Sequence, residues 1–160
     1  MTETINVGMA DYKITYSPTS LAVVGLGSCI AVCIYDLHRN IGGLAHIMLP
    51  TAQGTLRGER KKYADSAIEL MLEELYKQGA RREHLLAKIA GGAQMFAFSG
   101  ASSVLNIGVR NIEVVEQELK RHHIPLKAKD VGGRFGRTVN FDVASGTLRV
   151  RTVNQGEKVI

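Results

Sequence analysis

Cys29 and Cys33, the two cysteines of this 160-residue chain, both lie in "GLGSCIAVCIYD", residues 25–36. Cys29 directly follows a glycine-serine turn, and Cys33 sits four residues on within an apolar run. His46 follows in "GGLAHIMLP", residues 42–50. A thiol within hydrogen-bond reach of an imidazole can carry out acyl transfer. The histidine takes the thiol proton, or stands as imidazolium beside the thiolate, and later protonates the leaving amine. Gly27 and Ser28 let the backbone turn tightly before the thiol, where its N–H groups would stabilise the oxyanion of a tetrahedral intermediate. The first product would be a thioester, which water attacks with His46 again as base. Most cysteine–histidine pairs in chains of this length are core or surface residues, so composition alone does not make a site.

Register sharpens the comparison between the two thiols. The apolar runs flank a polar turn, "DLHRN", which reads as a β-hairpin. With the turn centred between Leu37 and His38, partner numbers sum to 75, and Cys29 faces His46. Directly opposed Cβ atoms are about 4.5–5.5 Å apart. A bulge at Gly42 and Gly43 would shift this register. In the same register Cys33 faces Gly42, without acid, base or charge across from it, and reads as a small core hydrophobe. A metal site built from Cys29, Cys33, His38 and His46 is the weaker alternative, because cysteines four apart on one strand spread their sulfurs too far for a tetrahedral ion. The same spacing argues against a disulfide and for two free thiols. His122 and His123 read as dipole-compensating or exposed residues near a helix end. "GLGS" is not a phosphate loop, since no Gly-Lys-Ser/Thr follows.

The elements that would position these residues are mostly strands. Alternation and β-branched content predict strands near 4–8, 11–16, 21–25, 29–36, 41–48, 85–90, 126–131, 138–142 and 147–153. "TLRVRTV" is the cleanest, with Leu148 and Val150 on one face and Arg149 and Arg151 on the other. Helical spacing covers 63–78, where Ala64, Ala67, Ile68, Met71, Leu72, Leu75 and Tyr76 form a stripe and Gly79 ends the helix. A second stripe, Ile112, Val115 and Leu119, predicts a helix over about 110–122. The predicted fold class is α+β: a single-domain layered sandwich of mostly antiparallel sheet with amphipathic helices packed on it, spanning residues 1–160.

Composition bounds the function classes. The net charge of +5 is spread over small groups such as "RGERKK" (57–62) and "KRHH" (120–123), without the interleaved aromatics of a single-strand nucleic-acid platform. The sign favours acidic partners. The apolar-rich stretch Leu21 to Tyr35 is broken by glycines and is shorter than the roughly 18–20 residues a membrane span needs. No apolar leader opens the chain, so the expected setting is cytoplasmic, with no nucleic acid partner and no membrane insertion.

Six ordered motifs resemble one family. "GLGSCIAVCIYD", "GGLAHIMLP", "KYADSAI", "AKIAGGAQMF", "NIGVRN" and "VGGRFGRTV" are similar to those of CheD, the chemoreceptor glutamine deamidases, across about residues 5 to 153. The resemblance implies hydrolysis of selected glutamine side chains on methyl-accepting chemotaxis receptors to glutamate and ammonia. It implies a Cys-His mechanism, with the family cysteine on Cys29 and the family histidine on His46, no cofactor and no metal. It implies a CheC-type phosphatase as a partner, with Gly91, Gly92, Gln94, Phe96 and Phe98 as contact candidates; read from the residues alone, "AGGAQMF" is a buried strand-to-helix turn with core aromatics. CheD proteins often carry a threonine six residues before the cysteine as a third catalytic member. Here that position is Val23, which has no side-chain donor or acceptor. The orienting partner of His46 is then a backbone carbonyl, a side chain from elsewhere, or nothing. The rival reading is a regulatory module that docks on receptors and CheC with little turnover.

Overall fold

The apolar run of residues 30–36 forms a strand buried on both faces, and the rest of the fold follows from covering them. The structure, a computed structural model, describes residues 3–51, 57–95 and 106–160. In chain order the strands are β1 (Thr4–Asn6), β2 (Asp11–Tyr16), β3 (Ser20–Leu26), β4 (Ile30–Asp36), β5 (Ile41–Ile47), β6 (Leu86–Gly91), β7 (Leu126–Val131), β8 (Arg137–Asp142), β9 (Thr147–Thr152) and β10 (Gly156–Val159). Helix α1 (Ala64–Lys77) precedes β6, and α2 (Ile107–Arg121) follows it. One five-stranded sheet runs β1-β3-β8-β9-β10 and the other β2-β5-β4-β6-β7. Pairing is antiparallel except at β1–β3 and β6–β7.

Alternation along β4 sorts its side chains between two cores. Ile30, Val32 and Ile34 meet the helices, packing in one cluster with Ile68, Met71 and Leu75 of α1 and Val115 and Leu119 of α2. Ala31, Cys33 and Tyr35 face the other sheet, in a cluster with Leu21, Val23, Val139, Phe141, Leu148 and Val150. Each fully buried side chain of this size contributes about 1.5–3 kcal/mol, against about 0–1 kcal/mol for an exposed ion pair. The two apolar layers, rather than surface charges such as Lys129–Glu116, therefore hold the sandwich. The predicted α+β sandwich is the observed one.

Local sequence accounts for most boundaries. In β9 Leu148 and Val150 are buried while Arg149 and Arg151 are exposed, as their alternation predicts. The α1 stripe is buried from Ala64 to Leu75, but Tyr76 lies at its edge and is exposed. Gly79, at φ 106°, follows the end of α1 in a conformation that only glycine adopts readily. Gly43 on β5 lets α1 lie close, since a Cβ there would stand 2.9 Å from Met71 Sδ.

The β4–β5 register differs from the sequence expectation. Asp36 pairs with Ile41, so the turn holds four residues, Leu37 to Asn40, and partner numbers sum to 77. The cause is the Asp36 carboxylate, whose Oδ1 accepts the N–H groups of His38 at 3.0 Å and Arg39 at 3.1 Å. Asn40 completes the turn at φ 54°. No bulge forms at Gly42 or Gly43, because the pairing runs unbroken from Ile30–Ile47 to Asp36–Ile41. Cys33 therefore faces Leu44, not Gly42, and His46 faces Ala31, not Cys29.

Candidate active site

Cys29 lies one residue before β4, on the side of the strand from which Ala31 and Cys33 also project, and it packs partly against the sheet-to-sheet core. His46 shares that face through its pairing with Ala31. The expected direct opposition of Cys29 and His46 is thus corrected to a diagonal one, two residues along. Diagonal positions are about 7–8 Å apart along the backbone, a span that long and aromatic side chains bridge. Ala31 between them is small enough to leave the imidazole room.

His46 is 3% exposed and is held from its far side. Its Nδ1 lies 3.4 Å from the Val7 carbonyl oxygen, which accepts a long hydrogen bond when Nδ1 carries the proton. That tautomer leaves Nε2 as the basic nitrogen, and Nε2 is buried without a partner among the described residues. Burial lowers the His46 pKa from its ordinary 6.5, more than the nearby Val7 and Gly8 carbonyls raise it. Burial also raises the Cys29 thiol above its ordinary 9.0, with its own backbone N–H pulling the other way. Both shifts favour the uncharged forms, thiol and imidazole.

The turn before the thiol is tied down through its carbonyls. Ala93 N–H donates to Gly27 O at 2.9 Å, and Gly92 N–H donates to Cys29 O at 2.9 Å. Between them, Asn111 Nδ2 donates to Ser28 O at 2.9 Å and to Met48 O at 3.0 Å. No other described group accepts the N–H of Ser28 or Cys29. Ser28 and Cys29 thus present N–H groups beside the thiol that no described backbone carbonyl accepts, the kind of donor that oxyanion stabilisation uses.

Gly91 and Gly92 are buried beside this turn rather than displayed on a surface. Gly91, at φ 116°, stands so close to Cys29 O that any side chain would collide with it, and a Cβ on Gly92 would stand 2.6 Å from Ile112 Cγ1. Gln94 is half-buried, its N–H donating to Gly133 O at 2.8 Å. Phe96 and Phe98 lie outside the described residues. Cys33 is fully buried between the sheets, its thiol pushed far up by burial despite Lys88. His38 stacks on His84 at the turn end of the hairpin, away from Cys29. Among the described residues no three His, Cys, Asp or Glu side chains gather as a metal site would need.

Two contributors escape sequence reasoning. The Val7 carbonyl is a backbone group and leaves no trace in residue type. Asn111 had a signal, a polar residue immediately beside Ile112 at the spacing of the α2 stripe.

Comparison with known proteins places the chain. Over all 160 residues, the full length of both chains, it is 55% identical to the probable chemoreceptor glutamine deamidase CheD of Desulfitobacterium hafniense strain DSM 10664 / DCB-2. The chain belongs to the CheD family. The family model for CheD chemotactic sensory transduction matches residues 48–152. The chain is also 45% identical over 162 residues, again all of both chains, to the chemoreceptor glutamine deamidase CheD of Halalkalibacterium halodurans strain C-125. Among solved structures it resembles the Bacillus licheniformis hypothetical protein YfiH only slightly, with a TM-score of 0.47 and 18% identity over 75% of this chain and 49% of that one.

Proposed function

We propose that this chain, acting as one domain over residues 1–160, is a cytoplasmic protein-glutamine deamidase of methyl-accepting chemotaxis receptors with Cys29 as nucleophile. Cys29 Sγ attacks the side-chain amide carbon of a receptor glutamine while its proton passes to His46 Nε2, and a C–S bond forms. The tetrahedral oxyanion accepts hydrogen bonds from the N–H groups beside Gly27 and Ser28. Collapse breaks the C–N bond, and the His46 proton leaves with the nitrogen as ammonia. Water, deprotonated by His46, then attacks the thioester, releasing glutamate and restoring the thiol. The sequence needs no cofactor. No described helix is long and apolar enough to cross a membrane, so the receptor is met as a protein surface.

The observation that carries this reading is His46 Nε2, buried, without a partner among the described residues and on the same sheet face as Cys29. A core histidine without a chemical task would be expected to satisfy both ring nitrogens. The names of the full-length relatives supply the substrate class. The rival, a docking module with little turnover, drew its support from Val23, but Val7 O already stands where an orienting group is needed. A CheC-type phosphatase remains the expected regulatory partner, meeting the protein through the segment that includes Gln94, Phe96 and Phe98. The test is to incubate the protein with a receptor cytoplasmic fragment and follow glutamine peptides by mass spectrometry. Conversion of amide to acid above a Cys29→Ala control supports the reading, and its absence refutes it.

A further inference from the structure

We infer that Asn111 is a positioning residue for the deamidation chemistry, clamping the Cys29 turn to the His46 strand from behind the sheet. The inference rests on the reading of Cys29 and His46 as nucleophile and base.

Asn111 is fully buried on α2, one of few polar side chains in the interior. An apolar residue would suit its place in the helical stripe, and burying an amide is unfavourable unless its groups are bonded. Its Oδ1 is indeed left without a partner among the described residues. What the amide does achieve is specific. Both hydrogens of Nδ2 are used, one on Ser28 O and one on Met48 O. Ser28 directly precedes Cys29, and Met48 lies two residues past His46. The β4–β5 ladder ends at Ile30 and Ile47, so beyond that pair the two segments have no ladder bond of their own. The amide joins them where the ladder stops.

The clamp is itself rigidly mounted. Gly108, one turn earlier on α2, lies so close to the 92–93 backbone that a Cβ would stand 2.5 Å from Gly92 O and 2.6 Å from Ala93 O. The N–H groups of those two residues hold the carbonyls of Cys29 and Gly27. Helix α2 and the end of β6 thus grip three consecutive carbonyls, and Asn111 takes the middle one. Asn111 reaches the sheet from the helix side, where Ile112 and Val115 pack with Ile30 and Val32, whereas Cys29 packs toward the other sheet. It therefore acts on the thiol through the backbone and is not a catalytic residue. Removing it would let the Ser28–Cys29 peptide rotate, moving the thiol relative to His46 Nε2 and misaligning the turn's N–H donors.

The test compares Asn111→Leu and Asn111→Gln with wild type and Cys29→Ala, using a receptor cytoplasmic fragment as substrate. A misplacement of about 1 Å can cost about 100-fold in rate. The expected result for Asn111→Leu is a fall in kcat of that order with KM within about threefold, together with a changed pH dependence of iodoacetamide reaction at Cys29, while thermal unfolding remains cooperative. Asn111→Gln, which keeps both donors on a longer stem, is expected to recover part of the rate and serves as the variant of record if Asn111→Leu does not fold. Wild-type kcat in the variant of record overturns the inference. So does a loss of activity that only tracks the loss of folded protein, with an unchanged Cys29 reaction profile. Deamidation that persists in Cys29→Ala defeats the underlying reading instead, whatever the Asn111 variants do.

Discussion

The carbonyl oxygen of Val7 lies 3.4 Å from Nδ1 of His46, linking the end of a short edge strand to the imidazole from across the interior. This contact fixes which nitrogen is basic, since a proton on Nδ1 leaves Nε2 to receive one. It also holds the imidazole through a backbone atom, whereas Val23 offers no side-chain donor or acceptor.

Val23→Thr is therefore expected to leave turnover within about twofold of wild type. Val23 is 1% exposed among apolar neighbours, so the added hydroxyl costs about 1–3 kcal/mol of stability unless it finds a partner. Steady-state deamidation and urea unfolding measure the two effects. A gain in kcat of tenfold or more would show that Val7 does not suffice.

The pH dependence follows from His46. Because burial lowers its pKa below 6.5, the imidazole is neutral at neutral pH, and kcat/KM is expected to fall only as pH drops through that lowered value. Its contribution to stability has the same sign: complete above 6.5 and lost as pH falls through the folded-state pKa. His46→Ala is expected to lower kcat by about 100- to 10,000-fold. An acid limb centred above pH 6.5 would contradict the assignment.

The two thiols should react differently in the folded protein. Cys29 is half-buried at the strand end, whereas Cys33 is fully enclosed and its thiol is pushed up further. Iodoacetamide is expected to modify Cys29 first, faster as pH rises toward and above 9, and to reach Cys33 only on unfolding. Peptide mass spectrometry reads both sites, and equal rates would remove the distinction.

Asp36 sets the register on which the site depends. Burial pushes its carboxyl up, but the N–H groups of Arg81 and Arg39 together with His84 outweigh that and hold it below 3.8. Its stabilising contribution is thus expected in full above 3.8 and lost as pH falls through the lower folded value. Asp36→Ala should cost about 1–3 kcal/mol in urea unfolding at neutral pH, because it removes the buried carboxylate that accepts the N–H groups of His38, Arg39 and Arg81, the last at 2.9 Å.

Sequence patterning revealed the layers better than the contacts between them. Alternation marks β9 plainly, and the α1 stripe is legible from Ala64 to Leu75, because burial on one face leaves a period in the residues. Strand β10 was invisible: Gly156–Val159 is exposed throughout, so no period marks it. Cys29 and His46 could be named from residue chemistry and family motifs, yet their register could not. The side chain of Asp36 lengthens the turn by bonding to the backbone, an effect that apolar patterning does not carry. Val7 acts through a carbonyl that every residue possesses, and Asn111 acts through two partners distant in sequence.

The most direct measurement traps the covalent intermediate. The protein is mixed with a receptor cytoplasmic fragment, quenched in acid during turnover, and digested for mass spectrometry of the peptide bearing Cys29. The expected result is a receptor peptide joined to Cys29 by a thioester, absent in Cys29→Ala, which also forms no glutamate. Glutamate formation at the wild-type rate in Cys29→Ala would contradict the account.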